Sequence, residues 1–133
     1  MVTDRIGDFI IRLQNAARIG KPAVSVPFSS HVLDIAEKLK ELGFVTAVEV
    51  KANGDSDVKK NIIVTLAYEK DRSKLRGVKR VSKPGRRLYV PYTEAHSVKG
   101  GTGVRLISSS MGVISDREAR QKRVGGENMF EIW

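Results

Sequence analysis

Apolar residues at Ile6, Phe9, Ile10, Leu13 and Ala17 recur at the i, i+3, i+4, i+7 spacing of one buried helical stripe. Thr3 or Asp4 offers an N-cap and Gly20 a stop, with Arg5, Arg12 and Arg18 on the outer face. After Lys21-Pro22, Val24 and Val26 alternate with small or polar neighbours, which predicts a short strand over residues 23–28. Ser29 or Ser30 opens a second helix. Val32, Ile35, Ala36, Leu39 and Leu42 form its inner face, Glu37, Lys38, Lys40 and Glu41 its solvent face, and Gly43 its end. Residues 44–51 and 61–68 are rich in β-branched side chains and flank the turn-forming stretch 52–57, which predicts a hairpin. Helix, strand, helix, strand, strand then make one layer in which both helices cover one sheet face.

Beyond residue 75 the apolar runs shorten. Strands are expected at 78–82 and 87–90, a Pro91-closed excursion at 92–98, a turn at 100–103, a strand at 104–109 and a turn at Met111-Gly112. Ser115 and Glu118 have capping-box spacing and start a brief helix that Gly125-Gly126 would end, before a terminal strand at 129–133. The fold class is α+β in two small domains. Residues 1–74 form an amino-terminal helix-strand-helix-strand-strand layer, and residues 75–133 a mainly β carboxyl-terminal domain with one short helix.

Charge alters this picture. The 24 Lys and Arg against 15 Asp and Glu leave a net +9. Nine basic residues opposed only by Asp71 put +8 of it between Lys70 and Arg87. Such an excess repels itself unless a polyanion compensates it, and nucleic acid is the leading candidate. An anionic membrane surface is the runner-up, but that reading wants a basic amphipathic helix or a lipid anchor, and the amino end shows neither a myristoylation site nor a secretory pattern; separately, no apolar stretch approaches the roughly 20 residues of a span. A cytoplasmic protein is expected. The chain has no cysteine and only two histidines, far apart, so a zinc-based nucleic-acid module is excluded.

Several segments bear on binding. The basic run is either a solvated linker, through Asp71-Arg72-Ser73-Lys74 and the turn Lys83-Pro84-Gly85, or a phosphate-contacting stretch ending beside Tyr89. Tyr89 is either half-buried core or a base-stacking ring. Ser108-Ser109-Ser110-Met111-Gly112 is either a serine-rich loop or a place where small hydroxyl side chains and a tight glycine turn let backbone approach a sugar-phosphate strand. The helix start at Ser115, followed by Arg117, Arg120, Lys122 and Arg123, is either an anion site or a solvated face. Glu127 after two glycines is a surface carboxylate, or else an acceptor for a base amino group or a carboxylate that orients a neighbouring Arg. Enzymatic chemistry finds little support. G-x-S-x-G and S-x-x-K are absent, and Lys99-Gly100-Gly101-Thr102-Gly103 lacks P-loop spacing. Asp55 and Asp57, the nearest approach to a metal-binding carboxylate pair, fall in the hairpin turn.

Residues 8–16 (DFIIRLQNA), 80–89 (RVSKPGRRLY), 112–120 (GVISDREAR) and 125–127 (GGE) together resemble, in order, the bacterial small-subunit ribosomal protein eight family, and the likeness spans essentially the whole chain. The resemblance implies a non-enzymatic protein without cofactor, metal or small-molecule substrate. It would bind an irregular helix in the central domain of small-subunit rRNA early in assembly, among neighbouring ribosomal proteins. The family's Ser-Thr-Ser-x-Gly loop falls on Ser108, Ser109, Ser110 and Gly112, with Tyr89 and Glu127 supporting the same surface. Arg87, Arg86, Lys83, Arg80, Lys79, Arg12 and Arg117 would neutralise phosphates around it. Ser109 stands where Thr is usual and Met111 where Lys or Gln is frequent, which removes a methyl and a phosphate contact. A second reading has the same surface repress translation by binding its own messenger RNA, where that RNA mimics the rRNA site.

Overall fold

The Asp4 carboxylate accepts a hydrogen bond from the Gly7 amide and starts helix α1 (Arg5–Ile19), in a computed structural model that describes residues 4–52 and 60–133. Thr3, most of the predicted hairpin turn, and Asp55 and Asp57 lie outside the described residues. The chain forms two units, the first ending at Arg76 and the second spanning Gly77–Trp133.

In the first unit α1 leads into β1 (Ala23–Pro27), α2 (Ser30–Leu42), β2 (Val45–Ala52) and β3 (Lys60–Leu66). The strands are antiparallel in the order β1-β3-β2. Alternate residues of central β3, Ile62, Val64 and Leu66, are buried, and with Phe9, Leu13, Ile35 and Leu39 they make the core. Burying each such side chain contributes about 1.5–3 kcal/mol.

Three expectations about this unit change. Ala16, not Ala17, completes the buried face of α1, because Ala16 lies three residues beyond Leu13 and Ala17 turns toward the flank. Lys38 is not on the solvent face of α2. It is only 8% exposed, and its ammonium reaches Glu41 Oε2 at 3.4 Å, as a long charged side chain can bury its stem and still present its head to a partner. Asp71-Arg72-Ser73-Lys74 is not a linker either. Strands β4 (Tyr68–Glu69) and β5 (Arg72–Ser73) pair across a two-residue turn in which Lys70 and Asp71 have φ of 50° and 64°, the left-handed pair that such hairpins need.

The second unit contains β6 (Val78–Arg80), β7 (Tyr89–Val90), β8 (Val104–Ser109), β9 (Gly112–Ser115), α3 (Asp116–Lys122) and β10 (Gly126–Ile132). The antiparallel order is β6-β10-β8-β9, with β7 also on β10. Ile107, Ile114, Ala95 and Ala119 cluster between the sheet and α3. Both short edge strands are briefer than the sequence suggests, since the chain leaves the ladder between them.

Strand β9 was not anticipated; the turn is Ser110–Met111, one residue earlier than expected, and Gly112 already belongs to the strand. The α3 capping box forms as expected, with Ser115 Oγ accepting from the Glu118 amide at 3.2 Å. Its end does not: Arg123, with φ 55°, closes the helix, while Gly125 and Gly126 lead into β10, which starts three residues before the predicted 129. The fold class remains α+β, with two helices in the first unit and a β-rich second unit.

Candidate RNA interface

Register builds the central feature of the second unit. Glu127 on β10 faces Tyr89 on β7 and Ser108 on β8, and Ser108 faces Val113 on β9. Residues directly opposite across antiparallel strands project to one side about 4.5–5.5 Å apart. Tyr89, Glu127 and Ser108 are therefore adjacent although 38 residues separate the first two in sequence. Ile107 and Ile114, one position away on their strands, point to the opposite face and pack under α3. The row thus faces away from the helix. Tyr89 is 75% exposed, so its ring is not core.

The turn at the end of the row is organised by one hydroxyl. Ser109 Oγ accepts from the Met111 amide at 3.1 Å and donates to the Gly112 carbonyl at 2.9 Å. Gly112 has φ 98° while Ser110 and Met111 stay at negative φ, which a glycine after a two-residue turn accommodates without strain. Ser110, Met111 and Gly112 are all exposed, Met111 at 57%. Ser109 therefore shapes the loop, and Ser110 and Met111 form its tip.

A cationic loop borders the row on its other side. Strands β6 and β7 follow one another along the same edge of β10, and residues 83–87 protrude between them. Buried Ser82 clips the loop's base: its Oγ accepts from the Leu88 amide at 2.9 Å and donates to the Leu88 carbonyl at 3.1 Å. Lys83 and Arg86 close the tip by exchanging both backbone hydrogen bonds, at 3.0 and 2.9 Å, around Pro84-Gly85. Lys83, Arg86 and Arg87 are exposed, and Arg87 Nη1 reaches Glu127 Oε2 at 3.0 Å, which joins loop to row.

The remaining candidates are dispersed. Arg80 donates from Nε to the Ser82 carbonyl at 2.8 Å and stays near the loop base. Lys79 pairs in register with Glu131, which faces Arg105, a position that strand alternation puts on the Ile107 side. Arg117 rides on α3, which packs against that same side. At the start of α3, Ser115 and Glu118 satisfy one another in the box, and buried Asp116 in the first turn holds Arg120 Nη1 at 3.1 Å. Arg12 belongs to the first unit, where Nε meets Asp8 at 3.1 Å and Nη1 the Ser25 carbonyl at 2.7 Å.

Sequence reasoning passed over Ser82, whose partner is six residues away, and the hydroxyl-before-Pro-Gly spacing is the only signal that pointed to it. It also misread Gly126. A Cβ there would stand 2.2 Å from the Ser108 carbonyl oxygen, so the glycine permits β10 to approach β8. Among the described residues no three His, Cys, Asp or Glu cluster as metal ligands, and no helix is long and apolar enough to cross a membrane.

A family model described as ribosomal protein S8 matches residues 4–133. Proteins named small ribosomal subunit protein uS8 are similar along their whole length. The one from Nocardioides sp. is 41% identical over 133 residues, covering 99% of this chain and 98% of the relative. That of Mycoplasmopsis pulmonis is 38% identical, covering 100% and 98%, and that of Pediococcus pentosaceus 43%, covering 99% and 98%. With the match running from the cap of the first helix to the last strand, the chain belongs to the ribosomal protein S8 family.

Proposed function

We propose that this protein is a primary rRNA-binding component of the small ribosomal subunit, which grips an irregular helix of the central domain through the Tyr89–Glu127–Ser108 row and the Ser109–Gly112 turn. The family is one of ribosomal structural proteins rather than enzymes, and work in that subunit is work in the cytoplasm. The observation that carries the reading is the row itself: an exposed aromatic ring, a carboxylate and a hydroxyl in register, leading to an open turn and flanked by the Lys83–Arg87 loop.

Each part has a distinct task. The regular A-form major groove is too narrow for side chains, so recognition falls on distorted or unstacked nucleotides. Tyr89 offers a ring for stacking, worth about 1–3 kcal/mol and indifferent to base identity. Glu127, held by Arg87, accepts from a base amino group. Ser108, Ser110 and the bare backbone at Gly112 reach 2′-hydroxyls and base edges. Lys83, Arg86 and Arg87 neutralise phosphates, which fixes position and contributes salt-dependent affinity.

Filter binding with small-subunit rRNA across a salt series tests the assignment. Tyr89→Ala and Ser110→Ala should weaken binding at every salt concentration with an unchanged slope, and Lys83→Ala with Arg86→Ala should make the slope shallower by about 2. Wild-type affinity in the first pair would refute the interface. A messenger leader bound as tightly as rRNA, and lost with the same substitutions, would extend it to translational repression.

A further inference from the structure

A concavity in the first unit, outside the row and its loop, has a volume of about 590 Å³ and is walled by the last turn of α1 and the β4–β5 hairpin. Its walls are built, not incidental. The Tyr68 hydroxyl donates to the Lys21 carbonyl and ties the hairpin to the segment after α1. Ser73 Oγ accepts from the amide of buried Leu75 at 3.1 Å and fixes the chain just after the hairpin. The left-handed pair Lys70 and Asp71 fixes where Arg72 emerges.

Arg18, Arg72 and Arg76 all line this space and are exposed. No guanidinium of the three makes a hydrogen bond or ion pair among the described residues. By contrast Arg5, Arg12, Arg80, Arg87, Arg105 and Arg120 each hold a carbonyl or a carboxylate. Asp71 is the only acid on the lining, so three guanidinium groups against one carboxylate leave it at +2. A guanidinium presents a rigid fork of donors that matches phosphate oxygens bidentately, and three such forks on one lining suit an anion with several such oxygens. One phosphate is small beside the volume, whereas a backbone segment with its sugars fills it.

We infer that the first unit carries a second RNA site, in which Arg18, Arg72 and Arg76 hold a phosphodiester segment while Asp71 limits its affinity. The inference rests on the proposed rRNA-binding role and moves the first helix's phosphate contact from Arg12, which is engaged internally, to Arg18. It also gives the hairpin within the basic stretch a use apart from the loop at 83–87.

Binding of the full chain to small-subunit rRNA, measured from low to high KCl, tests it. Replacing Arg18, Arg72 and Arg76 together by Gln should make the slope of log affinity against log salt shallower by about 2–3. Asp71→Asn should tighten binding roughly two- to fivefold at low salt. An unchanged slope in the triple variant, or no gain with Asp71→Asn, overturns the site. Because the chain has no cysteine, Lys74→Cys accepts a single tethered iron chelate for hydroxyl-radical cleavage. Cuts in one rRNA stretch, distinct from that protected by the Tyr89 face, are expected, and their absence overturns the site even if the triple variant folds poorly. Normal RNA binding by the triple variant with failed incorporation into subunits would assign the concavity to an acidic protein and also overturn it. Loss of binding in Tyr89→Ala beside an unchanged triple variant defeats this inference alone, whereas wild-type binding by Tyr89→Ala and Ser110→Ala defeats the proposed function.

Discussion

Gly126 shows how narrowly some single positions are constrained. Backbone, not a movable side chain, stands 2.2 Å from where its Cβ would be, so relief requires separating β10 from β8. Gly126→Ala should cost about 2–3 kcal/mol in urea unfolding, at the upper end for overpacking. Gly85→Ala, with nothing within 4 Å and an ordinary φ, should be close to neutral. Equal effects would mean the two strands adjust more freely than their register implies. Ser109 is constrained differently: its hydroxyl serves both sides of the turn and so sets the shape of Ser110 and Gly112.

At the scale of elements, the loop at 83–87 is a device assembled from a clip and a turn. Ser82 is buried and both hydrogen bonds of its hydroxyl go to Leu88, so removing that hydroxyl leaves a backbone amide without a partner at a cost of about 1–3 kcal/mol. Ser82→Ala should therefore release the loop and speed tryptic cleavage after Arg86 and Arg87 under native conditions, with α3 and the row otherwise unaffected. A cleavage rate equal to wild type would show that the Lys83–Arg86 bridge alone holds the loop. The same element scale separates the basic residues by face. Lys83, Arg86 and Arg87 border the row, while Lys79 and Arg117 belong to the α3 side.

For the whole molecule, +9 on 133 residues is a load that the fold carries without its polyanion. Close like charges repel across a screening length of about 10 Å at 0.1 M salt and 3 Å at 1 M. The melting temperature of the free protein should thus rise as KCl goes from 0.02 to 0.5 M, in the opposite direction to RNA affinity, which falls over that range. A melting temperature that is flat or falls with salt would mean that the ion pairs, such as Arg105–Glu131 at 3.2 Å, outweigh the repulsion.

Much of the architecture was legible because local chemistry and global need coincide. Both long helices announce themselves by periodicity and end at glycines, the Ser115 box is written in four residues, and β-branched content with alternation reveals β2 and β3. What escaped depends on contacts distant in sequence. Lys38 reads as solvent-facing because its charge outweighs its methylenes in any pattern count. Gly125 and Gly126 read as a helix stop because nothing local shows that β8 and the chain around Val90 press against them.

By itself, then, the sequence determined the fold class, the positive charge that calls for a polyanion, the family likeness and the identity of the unusual residues. Only the tertiary structure decided which of them are neighbours. Pairing register sets Tyr89, Glu127 and Ser108 side by side, puts Lys79 on the opposite face and gathers three unengaged arginines around one concavity. The reason is physical: periodicity records which way a side chain points on its own element, whereas adjacency between elements is fixed by long-range hydrogen bonding and close backbone packing.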